Sequence, residues 1–234
     1  MIGTLINVGA IIAGSILGII FGSRLSENLK QTVIAGMGLF TAAVGLQMFL
    51  KTENALVVLG ALIIGAILGE SMGLEDKLQV LGTWLEKRFS GGSVGNASHF
   101  VRGFLTASVL YCTGPMGVLG SISDGLRGDY LTLSIKSVLD GITSVAFAST
   151  LGIGVAFSAL PVLVYQGLIS LLAAQLNSIM NTQMMNEMTA TGGVLLIGIG
   201  ISSLLEIKKI RVGNFLPALV IAPSIVYVLS RITK

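Results

Sequence analysis

The sequence predicts an all-α, polytopic transmembrane bundle of about eight spans. Three observations carry this. Only 11% of the residues are charged and 53% are hydrophobic, against roughly 25% charged in a soluble domain. Apolar stretches of about 17–25 residues recur along the chain, the length that crosses a hydrocarbon core of roughly 30 Å. Thirty-one glycines stand beside four prolines, and in a bilayer glycine lets helices approach closely. No ten-residue alternating segments of the kind that build a barrel occur. The single Cys112 excludes an internal disulfide and a multi-cysteine metal site. A net charge of +3 could suggest nucleic acid, but the charges sit in short loops between apolar runs, so the partner they imply is the lipid bilayer.

The first span, residues 2–21, is read as retained, since no basic leader region or small-residue cleavage site accompanies it. Ala10, Gly14, Gly18 and Gly22 are spaced by four along one stripe, the pattern of a close helix seam. Asn7, its one strongly polar residue, is expected to make an interhelical hydrogen bond. A second span covers 32–50 and a third 55–69, the latter with Ala61, Gly65 and Gly69 on one stripe. Residues 74–89 differ: Leu74, Leu78, Leu81 and Leu85 recur at steps of four and three beside Trp84, with charges mostly elsewhere. This predicts an amphipathic helix in the membrane interface. The glycine- and serine-rich residues 90–96 read as a hinge, and the lone His99 as an interfacial residue.

The fourth span starts near Phe100 and meets Gly114-Pro115 before crossing. Proline removes a backbone donor and clashes one turn back, so a break is expected, with freed carbonyls that only protein or a water-filled cavity can satisfy. A short segment from Val118 is expected to reach a turn at Ser121–Asp124. The fifth span begins near Leu131 and sets Thr132, Lys136, Asp140, Thr143 and Ser144 on one face. Lys136 and Asp140 form an i, i+4 pair. Two readings stay open: a structural ion pair with Lys136 snorkelling, or a binding or relay site facing the broken helix. A turn is expected at Ser158–Pro161, a sixth span over 162–176, a Met-rich loop over 177–188, a seventh span over 189–205 and an eighth over 214–229. The methionines fit flexible apolar packing.

These elements divide into a first three-span repeat (1–72), the interfacial helix and hinge (73–97), a central broken-helix pair (98–160) and a second three-span repeat (161–234). Gly38-Leu-Phe-Thr-Ala-Ala-Val-Gly45 matches Gly193-Val-Leu-Leu-Ile-Gly-Ile-Gly200 in register. Five spans separate the copies, so the repeats are inverted, a transporter pattern with its site at the repeat interface. With eight spans, Arg24, Lys30, Lys77, Lys87, Arg88, Lys208, Lys209 and Arg211 fall on one side and Lys51, Arg127, Arg231 and Lys234 on the other. The richer side is expected to be cytoplasmic, both termini facing out. A re-entrant hairpin over residues 101–128 would invert the C-terminal half.

Phe104-Leu-Thr-Ala-Ser108, Gly120-Ser-Ile-Ser-Asp-Gly-Leu-Arg-Gly-Asp129, Lys136-Ser-Val-Leu-Asp-Gly141 and Phe147-Ala-Ser-Thr-Leu-Gly-Ile-Gly154 resemble the domain-of-unknown-function 554 family of bacterial membrane proteins. Gly3-Thr-Leu-Ile-Asn7, Glu187-Met-Thr-Ala-Thr-Gly-Gly193 and Lys208-Lys-Ile-Arg-Val-Gly-Asn-Phe-Leu-Pro217 fit as well. The resemblance implies a multi-pass protein of the bacterial cytoplasmic membrane. It brings no activity and no functional residues.

The residues themselves favour a small transporter or channel for an ion or small polar solute. Lys136 and Asp140 would bind or relay charge, with Thr113, Ser144 and carbonyls near Gly114 coordinating. No P-loop is present. An enzyme is not expected: HExxH, GxSxG and a paired-carboxylate metal motif are missing, and no cofactor or metal is implied. The alternative is a non-transporting scaffold or lipid-interacting protein. Glycine stripes on several helices suggest a homo-oligomer.

Overall fold

Glycine against carbonyl is the contact that builds this protein. In the computed structural model all residues are described except Leu25, 90–96, Thr113 and 233–234. The elements are α1 (Ile2–Gly22), α2 (Glu27–Phe49), α3 (Ala55–Met72), α4 (Leu74–Phe89), α5 (Ala97–Cys112), α6 (Pro115–Arg127), α7 (Leu131–Leu151), α8 (Gly154–Phe157), α9 (Ala159–Leu171), α10 (Ala173–Ile179), α11 (Thr182–Ile199) and α12 (Ala218–Ile232). A π-helical turn, Gly200–Leu204, extends α11, and a 3-10 turn, Val212–Phe215, precedes α12. No strand occurs among the described residues. Among the described residues seven helices are long and apolar enough to cross a membrane, and the α5–α6 pair, bent by 61°, makes an eighth candidate.

The chain forms two compact units that interleave in sequence. The first contains Met1–Met37 and Gln79–Ser178, the second Gly38–Leu78 and Ile179–Lys234. In the first, the stripe on α1 lies directly on the backbone of α7. A Cβ on Gly14 would come within 2.2 Å of the Gly141 carbonyl oxygen, on Gly18 within 2.4 Å of that of Val145, and on Gly22 within 2.1 Å of that of Ser149. Without a hydrophobic drive between helices in lipid, such close packing supplies the association energy. Leu5, Ile12, Ile16 and Leu17 point away from the seam and stay exposed, as lipid-facing side chains do.

In the second unit α2 packs on α11 through Gly45 and Gly193, each within 2.5 Å of the other's carbonyl oxygen were a Cβ present. Likewise α3 packs on the start of α12, with Gly65 against Ala218 and Gly69 against the Asn214 carbonyl. Glu187 caps this unit. Its carboxylate is fully buried and accepts from the Thr52 hydroxyl (2.7 Å) and the Glu53 and Asn54 amides (2.8 and 2.9 Å), satisfying donors at the N-terminus of α3. At the other end of α3, Gly73 takes a left-handed φ of 60° and turns the chain into α4. There Glu75 accepts from the Gly213 amide (2.8 Å), Asn214 accepts from the Glu75 amide (2.8 Å), and Arg211 pairs with Glu70 and Asp76.

The seams fix the relative directions of the helices they join. Gly14, Gly18 and Gly22 meet residues 141, 145 and 149 in rising order, so α1 and α7 are parallel. Gly45 meets Gly193 while Gly38 meets Leu205, so α2 and α11 are antiparallel. The pairs Gly65–Ala218 and Gly69–Asn214 make α3 and α12 antiparallel too. If α5–α6 is one crossing, α7 is the fifth and parallel to the first, while α11 and α12 are the seventh and eighth and oppose the second and third. A re-entrant hairpin would reverse all three relations. Counted as one broken crossing, the bent pair brings the candidate spans among the described residues from seven to eight.

Several expected boundaries differ. Ser158–Pro161 is no turn: Ser158 keeps right-handed helical angles and the span runs from Gly154 to Leu171. Proline fits the first helical turn, where its missing N–H is no loss. The reversal lies instead at Gly152, with φ 73°. The segment 118–124 does not end in a turn. It belongs to α6, which stops at Gly128, φ 68°. The Met-rich loop is largely helix, because Asn181 accepts from the Met184 amide (2.8 Å) and caps α11. The hinge at 90–96 lies outside the described residues.

Candidate functional site

A polar cluster sits inside the first unit, where the α1–α7 seam, the break and α9 meet. Lys136 and Asp140 lie one turn apart on α7 and form a hydrogen-bonded ion pair, their side chains only 6% and 10% exposed. At about 1.5 Å per residue, Asp140 is about 14 Å beyond the first residue of α7, well within a span. Asn7 of α1 donates from Nδ2 to the same Asp140 oxygen, Oδ2, at 3.0 Å. It reaches across because glycine contact holds the two helices together. The Lys136 ammonium stands 5.6 Å from the centroid of the Tyr111 ring, a cation–π distance. The Tyr111 hydroxyl and Ser144 Oγ share a 2.8 Å hydrogen bond.

The break places polar backbone beside this pair. Pro115 opens α6 behind Gly114, whose ψ of 145° is extended. Having no N–H, Pro115 cannot serve the carbonyl four residues back, which is that of Tyr111. The nearby glycines fall into two kinds. A Cβ on Gly120 would press 2.8 Å from Leu133, and on Gly125 2.2 Å from the Ser170 carbonyl oxygen. One on Gly114 would meet nothing within 4 Å. One on Gly117 would have room, with Lys136 Cε at 3.5 Å, the Tyr111 carbonyl oxygen at 3.7 Å and Gln166 Nε2 at 3.9 Å. Gly120 and Gly125 serve close packing, Gly117 sits in ordinary contact with Lys136 and Gln166, and open space lies where a Gly114 side chain would be.

Gln166 of α9 completes the cluster. It is fully buried, yet neither its amide nitrogen nor its amide oxygen has a hydrogen-bond partner. Asn7 Oδ1 and the hydroxyls of Thr4, Ser15, Thr106, Ser108, Ser121 and Tyr165, in the same unit, are buried without a partner as well. Among the described residues the second unit contributes only Thr41 and Thr189 to this set. Buried polar groups are nearly always paired with protein, water or ligand, so this concentration marks an interior suited to polar contents. Asp124 stands apart, accepting from the Gly3 amide at 3.0 Å and pairing with the Met1 amino group at 3.0 Å, and it caps α1.

Of the residues singled out from sequence, Lys136, Asp140 and Ser144 come together, with Gly114 at the break beside them. Thr113 lies outside the described residues. The bond expected of Asn7 is present, but its partner is the carboxylate of the candidate site. Gln166 escaped notice, although a lone amide in an apolar span was a legible signal. The arrangement offers donors from Lys136 and Gln166 and acceptors from Gln166, Asn7 and the Tyr111 carbonyl, around a pair that carries no net charge.

The family model described as "Protein of unknown function (DUF554)" matches residues 2–227. The chain is 35% identical over 233 residues to the uncharacterized membrane protein YdfK of Bacillus subtilis, covering 98% of this chain and 97% of that one. It is 30% identical over 223 residues to the uncharacterized protein YqgA of Escherichia coli, covering 95% and 94%. No solved structure matches. With seven or eight candidate spans, several joined by glycine seams, and likeness along nearly its whole length, the chain is a multi-pass membrane protein that belongs to the DUF554 family.

Proposed function

We propose that this protein moves a small polar solute or ion across a bacterial cytoplasmic membrane, by transport and without catalysis. The observation that carries the reading is the buried Lys136–Asp140 pair beside a broken crossing, with the buried, unpartnered Gln166 amide next to it at Gly117. Ionisable groups inside spans are costly and mark binding or relay sites. Irregular backbone at membrane depth survives where it lines a polar cavity. A helical bundle suits the cytoplasmic membrane, outer membranes being served by barrels. The lysine- and arginine-rich side, with Arg24, Lys77 and Lys208, then faces the cytoplasm.

The α2–α11 seam supports an inverted repeat. In the repeat alignment Gly38 corresponds to Gly193 and Gly45 to Gly200. The contact of Gly45 with Gly193 then has as its image the contact of Gly38 with Gly200, and a Cβ on Gly200 would lie 2.9 Å from the Gly38 carbonyl oxygen. Paired contacts that exchange in this way are those of a local two-fold axis, the symmetry on which many transporters are built. Glycines on the outward faces, such as Gly9 and Gly36 with nothing near them, leave room for a homo-oligomer.

The test is a thermal-stability screen of the purified protein against ions and small metabolites, run beside the doubly neutralised variant Lys136→Met/Asp140→Asn. A ligand at a hundredfold excess over its dissociation constant stabilises by about 2.7 kcal/mol. A stabilising ligand that loses its effect in the folded variant supports transport through this site. A well-folded wild type that responds to nothing, or equally in both proteins, favours a scaffold or lipid-interacting protein instead.

A further inference from the structure

We propose that the polar cluster beside the break, where Lys136 and the unpartnered Gln166 amide meet at Gly117, binds a small solute of zero net charge that carries both a hydrogen-bond donor and an acceptor, as an amide or an amino-acid zwitterion does. The inference rests on the transport reading and names the class of solute the same site takes.

Charge supplies the first argument. Lys136 and Asp140 neutralise one another, and the groups gathered around them, Asn7, Tyr111 with its partner Ser144, and Gln166 at Gly117, carry no charge. A bare ion entering this site would keep its full charge in a low-dielectric interior with no group of opposite sign left to offset it. An amide brings no ion to desolvate, and a zwitterion brings its own counter-charge, so neither adds a net charge to the interior.

The chemistry of the unpaired groups supplies the second. A primary amide holds two donors and a carbonyl acceptor, and Gln166 presents all of them, fully buried, to no protein partner. Lys136 has three N–H donors, of which Asp140 takes one. These donors suit a carbonyl or carboxylate. The first turn of α6, a helix of 13 residues starting at Pro115, adds its partial positive charge to that end. Gln166 Oε1 and the Tyr111 carbonyl, which Pro115 cannot serve, suit an amide N–H or an ammonium. Donor and acceptor lie side by side around Gly117, within 4 Å of where its side chain would be. Such a set pairs with a solute that has both a donor and an acceptor and leaves a bare ion with half the groups unmatched.

The test measures thermal unfolding of the full chain in detergent with glycine, L-alanine, L-serine and L-glutamine as zwitterions, with acetamide and urea as neutral amides, and with sodium, potassium and ammonium chlorides and sodium phosphate as ions. Wild type is compared with Gln166→Leu and Gly117→Ala. Both variants should fold. Leucine removes a buried amide that has no partner, and alanine at 117 makes only ordinary contacts. The expected result is stabilisation by a zwitterion or an amide but not by salts, with affinity about tenfold weaker or worse in Gln166→Leu, the value of one good hydrogen bond. Gln166→Leu alone should unfold at a temperature no lower than wild type, which a structural glutamine would not allow. Stabilisation by salts alone overturns this inference and leaves transport standing. Stabilisation unchanged in both variants, or none with any probe, overturns it as well.

Discussion

Neutralising one member of the Lys136–Asp140 pair should be far more damaging than neutralising both. At a separation of about 3 Å and an effective dielectric near 20, the attraction between unit charges is about 5 kcal/mol, and it offsets the desolvation of two side chains that are 6% and 10% exposed. Asp140→Asn leaves the ammonium buried with no counter-charge, and Lys136→Met leaves the carboxylate with Asn7 alone. Each should cost about 3–5 kcal/mol, the usual result of breaking a buried pair. Lys136→Met/Asp140→Asn removes both penalties together and should fall within about 1 kcal/mol of wild type. The assay is a double-mutant cycle on reversible denaturant unfolding in mixed micelles, with near-ultraviolet circular dichroism as a second probe. The signature is a coupling energy of several kcal/mol. Additivity within about 0.5 kcal/mol would refute the reasoning, since it would mean that the two charges are hydrated and do not depend on each other.

The α3 cap should respond to Glu187→Ala by losing about 2–4 kcal/mol, since the Glu53 and Asn54 amides lose their acceptor at about 1–3 kcal/mol per unmet group. Glu187→Gln, which keeps an acceptor, should lose less, and equal losses in thermal unfolding would contradict the capping role. On α1, Gly14→Ala should destabilise by about 1–3 kcal/mol through overpacking, because its Cβ would lie 2.2 Å from a carbonyl oxygen. Gly9→Ala, with nothing within 4 Å, should be neutral or gain up to about 1 kcal/mol of helix propensity. Finally, in a Cys112→Ala background, single cysteines at Lys51 and Asp129 should react with an impermeant maleimide from one side of the membrane and those at Arg24 and Lys208 from the other. Asp129 labelled together with Arg24 would mean a re-entrant pair.

Span number and glycine seams were legible in the sequence because both depend on local pattern, a run of apolar residues and a spacing of four. The amphipathic α4 and the break at Gly114-Pro115 were legible for the same reason. Boundaries set by a single residue's role were not. Pro161 reads as a stop and stands in a first turn, and Asn181 reads as loop and is a cap. The candidate site was half visible. Lys136, Asp140 and Ser144 share a helix face and announce one another. Asn7 and Gln166 join them only through packing between helices far apart in the chain, which no window on the sequence spans. The same distance hid the role of Glu187, whose donors lie 133–135 residues away.

The glycine seam of α1 also has a consequence for biosynthesis. Its partner backbone at Gly141 lies 127 residues after Gly14, and at about 5–20 residues per second the ribosome needs about ten seconds to supply it. Through that interval the small-residue face and the Asn7 amide of α1 have no mate. Insertion of the first crossing must therefore be sustained by Leu5, Ile12, Ile16 and Leu17, which in the finished protein face outwards. The residues that hold α1 in the bilayer during synthesis are thus not those that bind it to its final neighbour. A substitution on the outer face would reveal itself in how efficiently the chain is inserted and leave the unfolding temperature of the assembled protein nearly unchanged.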